Sequence, residues 1–236
     1  FLIKRQTSLF EAVETIGSKH ESTGPNQTLI VSDPVHHPKD RRVQALDVNS
    51  DIMAFAPLTG TANEAKQIAQ WTKAETLTGF DANRTEWNKH ANHTPQLHMA
   101  THAFFNETQP DLSALVLSAY DASGKQVPSM LRASEIRNMR LPYELVVLSG
   151  CETGLTSGNG LQGLTQSFLQ AGAQNLIASL WQVDDRITSQ MMATFYQNRH
   201  QGQSVELALN NAKKQIMSQA RTRHPKFWSG WFLVSQ

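Results

Sequence analysis

The stretch Leu145-Val146-Val147-Leu148-Ser149-Gly150-Cys151-Glu152-Thr153-Gly154 constrains the fold more than any other part of the chain. Four large apolar residues in a row, stopped by small ones, read as a strand buried on both faces, the kind a parallel sheet requires. The apolar-periodic segment from Leu161 to Ala171 then reads as a helix crossing back over that sheet. Cys151, the chain's single cysteine, falls at the carboxyl end of the strand, the edge along which open α/β sheets bind ligands. Gly150 and Gly154 let the backbone turn there and let another molecule come close. A cysteine acting only as a small apolar filler belongs inside the run rather than just past its end.

A thiol nucleophile needs a base. One known Cys–His arrangement places the histidine about 50 residues before the cysteine, and His102 lies 49 positions before Cys151. His102 closes a second strand-like run, Leu97-His98-Met99-Ala100-Thr101-His102. If the two strands are parallel neighbours, about 4.8 Å apart, both side chains project from one sheet edge across a substrate-sized gap. His98 shares the face of His102 by the two-residue period of a strand. Mid-strand, it reads as a hydrogen-bonded core histidine and not as a second base.

Along the rest of the chain, strands are expected at 29–31, 75–79, 114–119, 175–180 and 231–234, and helices at 62–71, 83–92, 187–196 and 204–217. Asp121-Ala122-Ser123-Gly124 signals a hairpin to residues 125–127, and Ser134-Glu135 starts a short helical turn. Alternation of this kind predicts an α/β sandwich with a mostly parallel central sheet of about six strands. Residues 1–27, with Phe10, Val13 and Ile16 as a short helical stripe, read as a lead-in or linker to a domain over 28–236. The chain begins at Phe1 without a signal-like apolar segment, so it reads as the C-terminal piece of a longer protein or a processed product, with the cytoplasm as the expected compartment.

Composition matters mainly for what it removes. Twenty-one basic residues against 20 acidic ones leave no electrostatic reason to expect nucleic acid. A single cysteine excludes an internal disulfide, and no apolar run approaches a membrane span. The pair His36-His37 lacks a cysteine or carboxylate at ligand spacing and reads as a solvated loop. His90, His93 and His98 straddle a helix end, a turn and a strand, so neither a metal nor another cofactor is expected. Gly158-Asn159-Gly160-Leu161-Gln162-Gly163 satisfies the dinucleotide pattern G-x-G-x-x-G, with Asp184 about 20 residues on. In that pattern the first glycine directly follows its strand; here residues 151–157 intervene. The glycines read as a flexible loop beside the nucleophile, with a nucleotide site as the outlying alternative.

The runs Leu97 to His102, Leu112 to Ser118, Val146 to Gly154, Ala171 to Asp185 and His224 to Val234 together resemble the CHAT family of caspase-like cysteine peptidases, in the clan of separases and caspases. The resemblance runs in order from about residue 28 to the C-terminus. It implies a three-layer caspase-like sandwich with helices on both faces, and a cysteine endopeptidase acting on a protein or peptide substrate. In that mechanism Cys151 attacks, His102 serves as acid and base, and the backbone amides of Cys151 and Ala103 hold the oxyanion. It also implies upstream tetratricopeptide repeats or a regulatory protein that gates the site. Gly150 stands where the family more often has Ala, and Ala103 stands where Gly often follows the histidine.

Trp181-Gln182-Val183-Asp184-Asp185 is similar to a separase segment whose last acid serves arginine recognition, which puts Asp185 on that acid and Asp184 beside it. A carboxylate takes arginine bidentately, so cleavage after a basic residue is expected. Either aspartate also suits the cap of the helix expected near Ile187, and two adjacent acids allow one to cap and one to face substrate. The alternative from another class is a catalytically silent caspase-fold module for protein interaction.

Overall fold

The computed structural model describes residues 27–37, 40–44, 55, 58, 60–149 and 159–236. Cys151 and the expected stripe of Phe10, Val13 and Ile16 lie outside the described residues. A six-stranded sheet forms the centre: β1 (Gln27–Pro34), β2 (Lys73–Gly79), β3 (Gln96–Ala100), β7 (Leu145–Leu148), β8 (Asn175–Ser179) and β9 (Trp231–Ser235). Their spatial order is β2-β1-β3-β7-β8-β9. The first five are parallel, and β9 closes the edge antiparallel to β8. The expected α/β sandwich with a mostly parallel sheet is the fold of the chain.

Strand alternation divides the interior into two cores. Leu29, Val31, Val146, Leu148, Leu176 and Ala178 point to one face, where they meet α3 (Arg84–His90), α4 (Ala133–Arg137) and α5 (Asn159–Ala171). Ile30, Leu145, Val147 and Ile177 point to the other, against α2 (Thr61–Ile68), α6 (Asp185–His200) and α7 (Val205–Ser218). Both faces of the central strands are therefore covered, which is why β7 reads as an unbroken apolar run. Helix starts are set by side-chain caps: Asn83, Asp184 and Ser204 accept backbone N–H groups from Glu86, from Arg186 and Ile187, and from Leu207. Gly172, at φ 117°, ends α5 in a conformation that suits glycine.

Several expectations need correction. The run 114–119 is shorter as a strand, β5 (Ala114–Val116), and belongs to a separate antiparallel sheet between β4 (Ala103–Phe104) and β6 (Met130–Arg132). The reason is packing: Ala103, Leu115 and Leu131 turn their side chains into the core beneath α5, so this small sheet lies over one face instead of extending the central sheet. The expected hairpin to 125–127 does form, around a bridge between Tyr120 and Gln126, with the Asp121 amide donating to Lys125 and the Val127 amide to Ala119. The polar stretch after β1 contains a short helix, α1 (Arg41–Gln44), where an unbroken loop is expected. Gly160 and Gly163 lie inside α5 rather than in a loop. A Cβ at Gly160 would stand 2.7 Å from Phe105, and one at Gly163 would stand 2.7 Å from Pro110, so these glycines serve close packing.

Among the described residues, no helix is long and apolar enough to cross a membrane. Phe168, fully buried on α5, fills the core between the helix and the sheet. Phe168→Ala is expected to lower stability by about 3–5 kcal/mol, read as an earlier urea midpoint at unchanged m-value.

Candidate functional site

β3 and β7 are hydrogen-bonded parallel neighbours, with Met99 opposite Leu148. His102 follows Met99 by three positions and Cys151 follows Leu148 by three, so the two residues are equally spaced beyond one pairing point. The strand carrying the histidine ends at Ala100, two residues earlier than expected. His102 instead occupies the junction between the two sheets: its carbonyl accepts the Val116 amide of β5 at 2.8 Å and the Thr101 hydroxyl at 3.0 Å.

The histidine is enclosed. A solvent-facing strand end is what the pattern suggests, yet His102 is only 2% exposed. His36 meets its ring edge-on at a centroid distance of 5.1 Å, and Phe55 lies at 5.3 Å. His36 is itself 1% exposed, which overturns its reading as part of a solvated loop. The turn that brings His36 in is clamped by Arg42, whose guanidinium meets Asp33 at 2.8 Å and Asp40 at 2.7 Å. Arg42 holds the Asp40 carboxyl below its usual range. Ala103 is buried and pairs opposite Leu115. The one described non-glycine residue with positive φ is Asp33, so alanine at position 103 carries no strain of that kind.

Beneath this edge lies a polar cluster that sequence reasoning identified only at His98. The His98 Nε2 is 2.9 Å from Glu64 Oε1 and 3.1 Å from Ser149 Oγ, and its Nδ1 is 3.2 Å from the Tyr196 hydroxyl. A carboxylate accepts only, so Nε2 carries the proton and Nδ1 accepts from Tyr196. Burial pushes the Tyr196 phenol up, so its hydroxyl keeps the proton it donates. The four side chains come from α2, β3, the end of β7 and α6, and they tie the helical layer to the strand that leads toward Cys151. A signal for Glu64 was present: Thr61, Glu64, Ala65 and Ile68 form the buried stripe of α2, and a carboxylate on such a stripe requires a partner.

The two aspartates are placed differently. Asp184 caps α6, accepting the amides of Arg186 at 3.0 Å and Ile187 at 3.3 Å. Asp185 lines a cavity of about 30 Å³ together with Gly60, Glu64, Ser149, Ser179 and Trp181. That is room for about one or two waters. A Cβ on Gly60 would stand 2.8 Å from the Cβ of Asp185, so only glycine admits the aspartate there. His90 pairs with Glu75 at 2.5 Å and stacks near His93. Among the described residues, no group of three or more potential ligands is placed to hold a metal ion.

The sequence profile of the CHAT domain matches residues 1–236. The chain belongs to the CHAT-domain family. The family is part of the caspase and separase clan, in keeping with the sheet order and the two helical layers. The CHAT domain is also similar to tetratricopeptide repeat protein 28 of Mus musculus, 33% identical over 107 residues, covering 44% of this chain and 4% of that protein. The Homo sapiens protein of the same name is 26% identical over 220 residues, covering 78% of this chain and 9% of that protein. The chain thus spans less than a tenth of the length of these curated relatives.

Removing Glu64 leaves His98 buried without its carboxylate. Glu64→Ala is expected to cost about 1–3 kcal/mol, the penalty of an unsatisfied buried donor, whereas Glu64→Gln, which keeps an acceptor, is expected to cost less than the alanine variant. Chemical denaturation of the two variants beside the wild type measures both; equal losses would show that a neutral acceptor at this position contributes nothing and that the carboxylate's charge carries the effect.

Proposed function

We propose that this CHAT domain works as a caspase-fold protein-interaction unit of a tetratricopeptide-repeat protein, with its histidine edge closed in the conformation described. The observation that carries this is the enclosure of His102 behind His36 and Phe55. A base must come within hydrogen-bond reach of the proton it takes, and an enclosed ring does so only after its cover moves. The relatives are named for tetratricopeptide repeats, which supports such repeats, or a protein acting through them, as the partner.

A second reading, a cysteine endopeptidase, has its own support in the equal spacing of His102 and Cys151 beyond the Met99–Leu148 pair. In that reading the Cys151 sulfur attacks the scissile carbonyl carbon, the C–N bond breaks, and His102 passes a proton to the leaving amine. Water, deprotonated by His102, then hydrolyses the thioester. The amides of Cys151 and Ala103 hold the oxyanion, and Asp185 recognises a basic residue before the cut bond while Asp184 keeps its capping role. The cavity at Asp185 must widen to take an arginine, and the cover over His102 must move as well, so this chemistry requires a more open conformation at both places. Repeats or a regulatory partner supply that gate.

Turnover of a peptide library by the wild type, Cys151→Ala and His102→Ala separates the two readings. A silent interaction unit shows no cleavage that depends on Cys151. A peptidase loses turnover in both variants with the fold intact, by about 10²–10⁴-fold for His102→Ala. Where cleavage occurs, Arg or Lys is expected before the cut bond, weakened in Asp185→Ala. Cleavage after large apolar residues, unchanged in Asp185→Ala, removes the basic pocket and leaves the Cys–His mechanism standing.

A further inference from the structure

The small sheet turns one face into the core, where Ala103, Leu115 and Leu131 pack beneath α5. Strand pairing sets the other face. Phe104 lies opposite Ala114, Ala114 opposite Arg132 and Val116 opposite Met130, so these five side chains share it. His102 continues the ladder by one residue, its carbonyl accepting the Val116 amide at 2.8 Å. By the two-residue period of a strand, its ring belongs to the same face as Phe104. Near His102 that face is closed, with Val116 1% exposed. It opens further on, at the half-buried Phe104 and Met130. There Phe104, Asn106, Leu112, Ala114, Met130 and Arg132 line a pocket of about 310 Å³. Its walls are held from behind. Arg84, paired with Glu135, donates to the Met130 carbonyl at 2.8 Å, and the Asn106 amide donates to the Ser113 hydroxyl at 2.9 Å. Leu112, on the rim, is 41% exposed.

We propose that this pocket seats one large apolar side chain of a polypeptide that crosses the sheet edge past His102. Strand order sets the direction of crossing. β3, β7 and β8 are successive parallel neighbours, and they run on in sequence toward His102, Cys151 and Asp185. A chain laid across that edge, with its acyl-side residue at β8 and its reacting bond at β7, carries its leaving side over β3. The small sheet begins there. Phe104 is two residues beyond His102, about 6.6–6.8 Å of extended chain, so the pocket is within reach of roughly the first three residues after the bond. Continuity with the face of His102 selects a passing polypeptide as the occupant. The apolar lining of Phe104, Ala114, Met130 and Leu112 selects the side chain, and a volume at the small end of ligand sites suits one residue and not a folded partner. In the second reading above, on which this site rests, His102 meets the leaving amine, so the seated residue comes from the leaving side.

The test uses fluorescein-labelled octapeptides with arginine fourth and alanine elsewhere, in which leucine or phenylalanine replaces the fifth, sixth or seventh residue in turn. Binding to the 236-residue chain carrying Cys151→Ala is read by fluorescence polarisation, and turnover of the same panel by the wild type is followed in parallel. One of the three positions is expected to tighten binding about 10- to 100-fold over the all-alanine peptide, the gain from burying one large apolar side chain. Met130→Ala and Leu112→Ala are each expected to take back about 3- to 10-fold of that gain. Leu112 is exposed, so its variant keeps the fold, as a matching thermal midpoint will show. Binding indifferent to position, or a gain that survives in both variants, overturns the pocket; turnover that depends on Cys151 then leaves the peptidase reading standing. Position-dependent binding that both variants weaken, without turnover that depends on Cys151, keeps the pocket and sinks the peptidase reading. A panel that neither binds nor is cleaved sinks both.

Discussion

The parallel pairing of β3 with β7 is the contact on which the candidate site depends. It sets Met99 opposite Leu148, 49 positions further along the chain, and fixes the relative height of the two strand ends by hydrogen-bond register. Neither strand can slip by one residue, because that would exchange its two faces and bury the wrong set of side chains in each core. Met99 and Leu148 belong to one core, His98 and Val147 to the other side. His102 and Cys151 each follow this pair by three positions in the sequence. Helices on both faces hold that register against any local change at the edge.

The Glu64–His98–Ser149–Tyr196 cluster is a connected set of buried polar side chains, and its placement is informative. Polar groups without water cost free energy unless each finds a partner. Here the hydrogen bonds run between elements, from α2 and α6 through β3 to the residue just after β7. An apolar core can tolerate small rotations of a helix over a sheet, whereas a chain of directed bonds cannot. The end of β7 is therefore held at a defined height relative to the helices, which matters most where the chain is about to leave the sheet.

Much of this was legible in the sequence because it follows from period alone. Leu145 to Leu148 read as a strand covered on both faces, and it is one; the helix expected from 204 begins there, capped by Ser204. The pairing of β7 with β3 entered the sequence reading as the condition under which His102 and Cys151 share an edge, and the two strands do pair in parallel. The enclosure of His102 was not legible, since it depends on Phe55 and His36 arriving from a polar, irregular stretch with no periodicity to read. The glycines of residues 160 and 163 misled for a related reason: a loop-like motif and a helix packed tightly against a turn contain the same residues, and only the neighbours distinguish them. The small sheet was missed because an apolar run of three residues does not say which sheet it will join.

His102 sits where the chain passes from the central sheet into the small one, with its carbonyl bonded to β5. That makes the histidine a seam between two sheets. On one side β3 is paired along its length with β1 and β7; on the other β5 is stitched to β6, and Leu131 of β6 enters the same core as α5. The one residue in a position to act as a base is thus sewn into both fabrics of the fold at once.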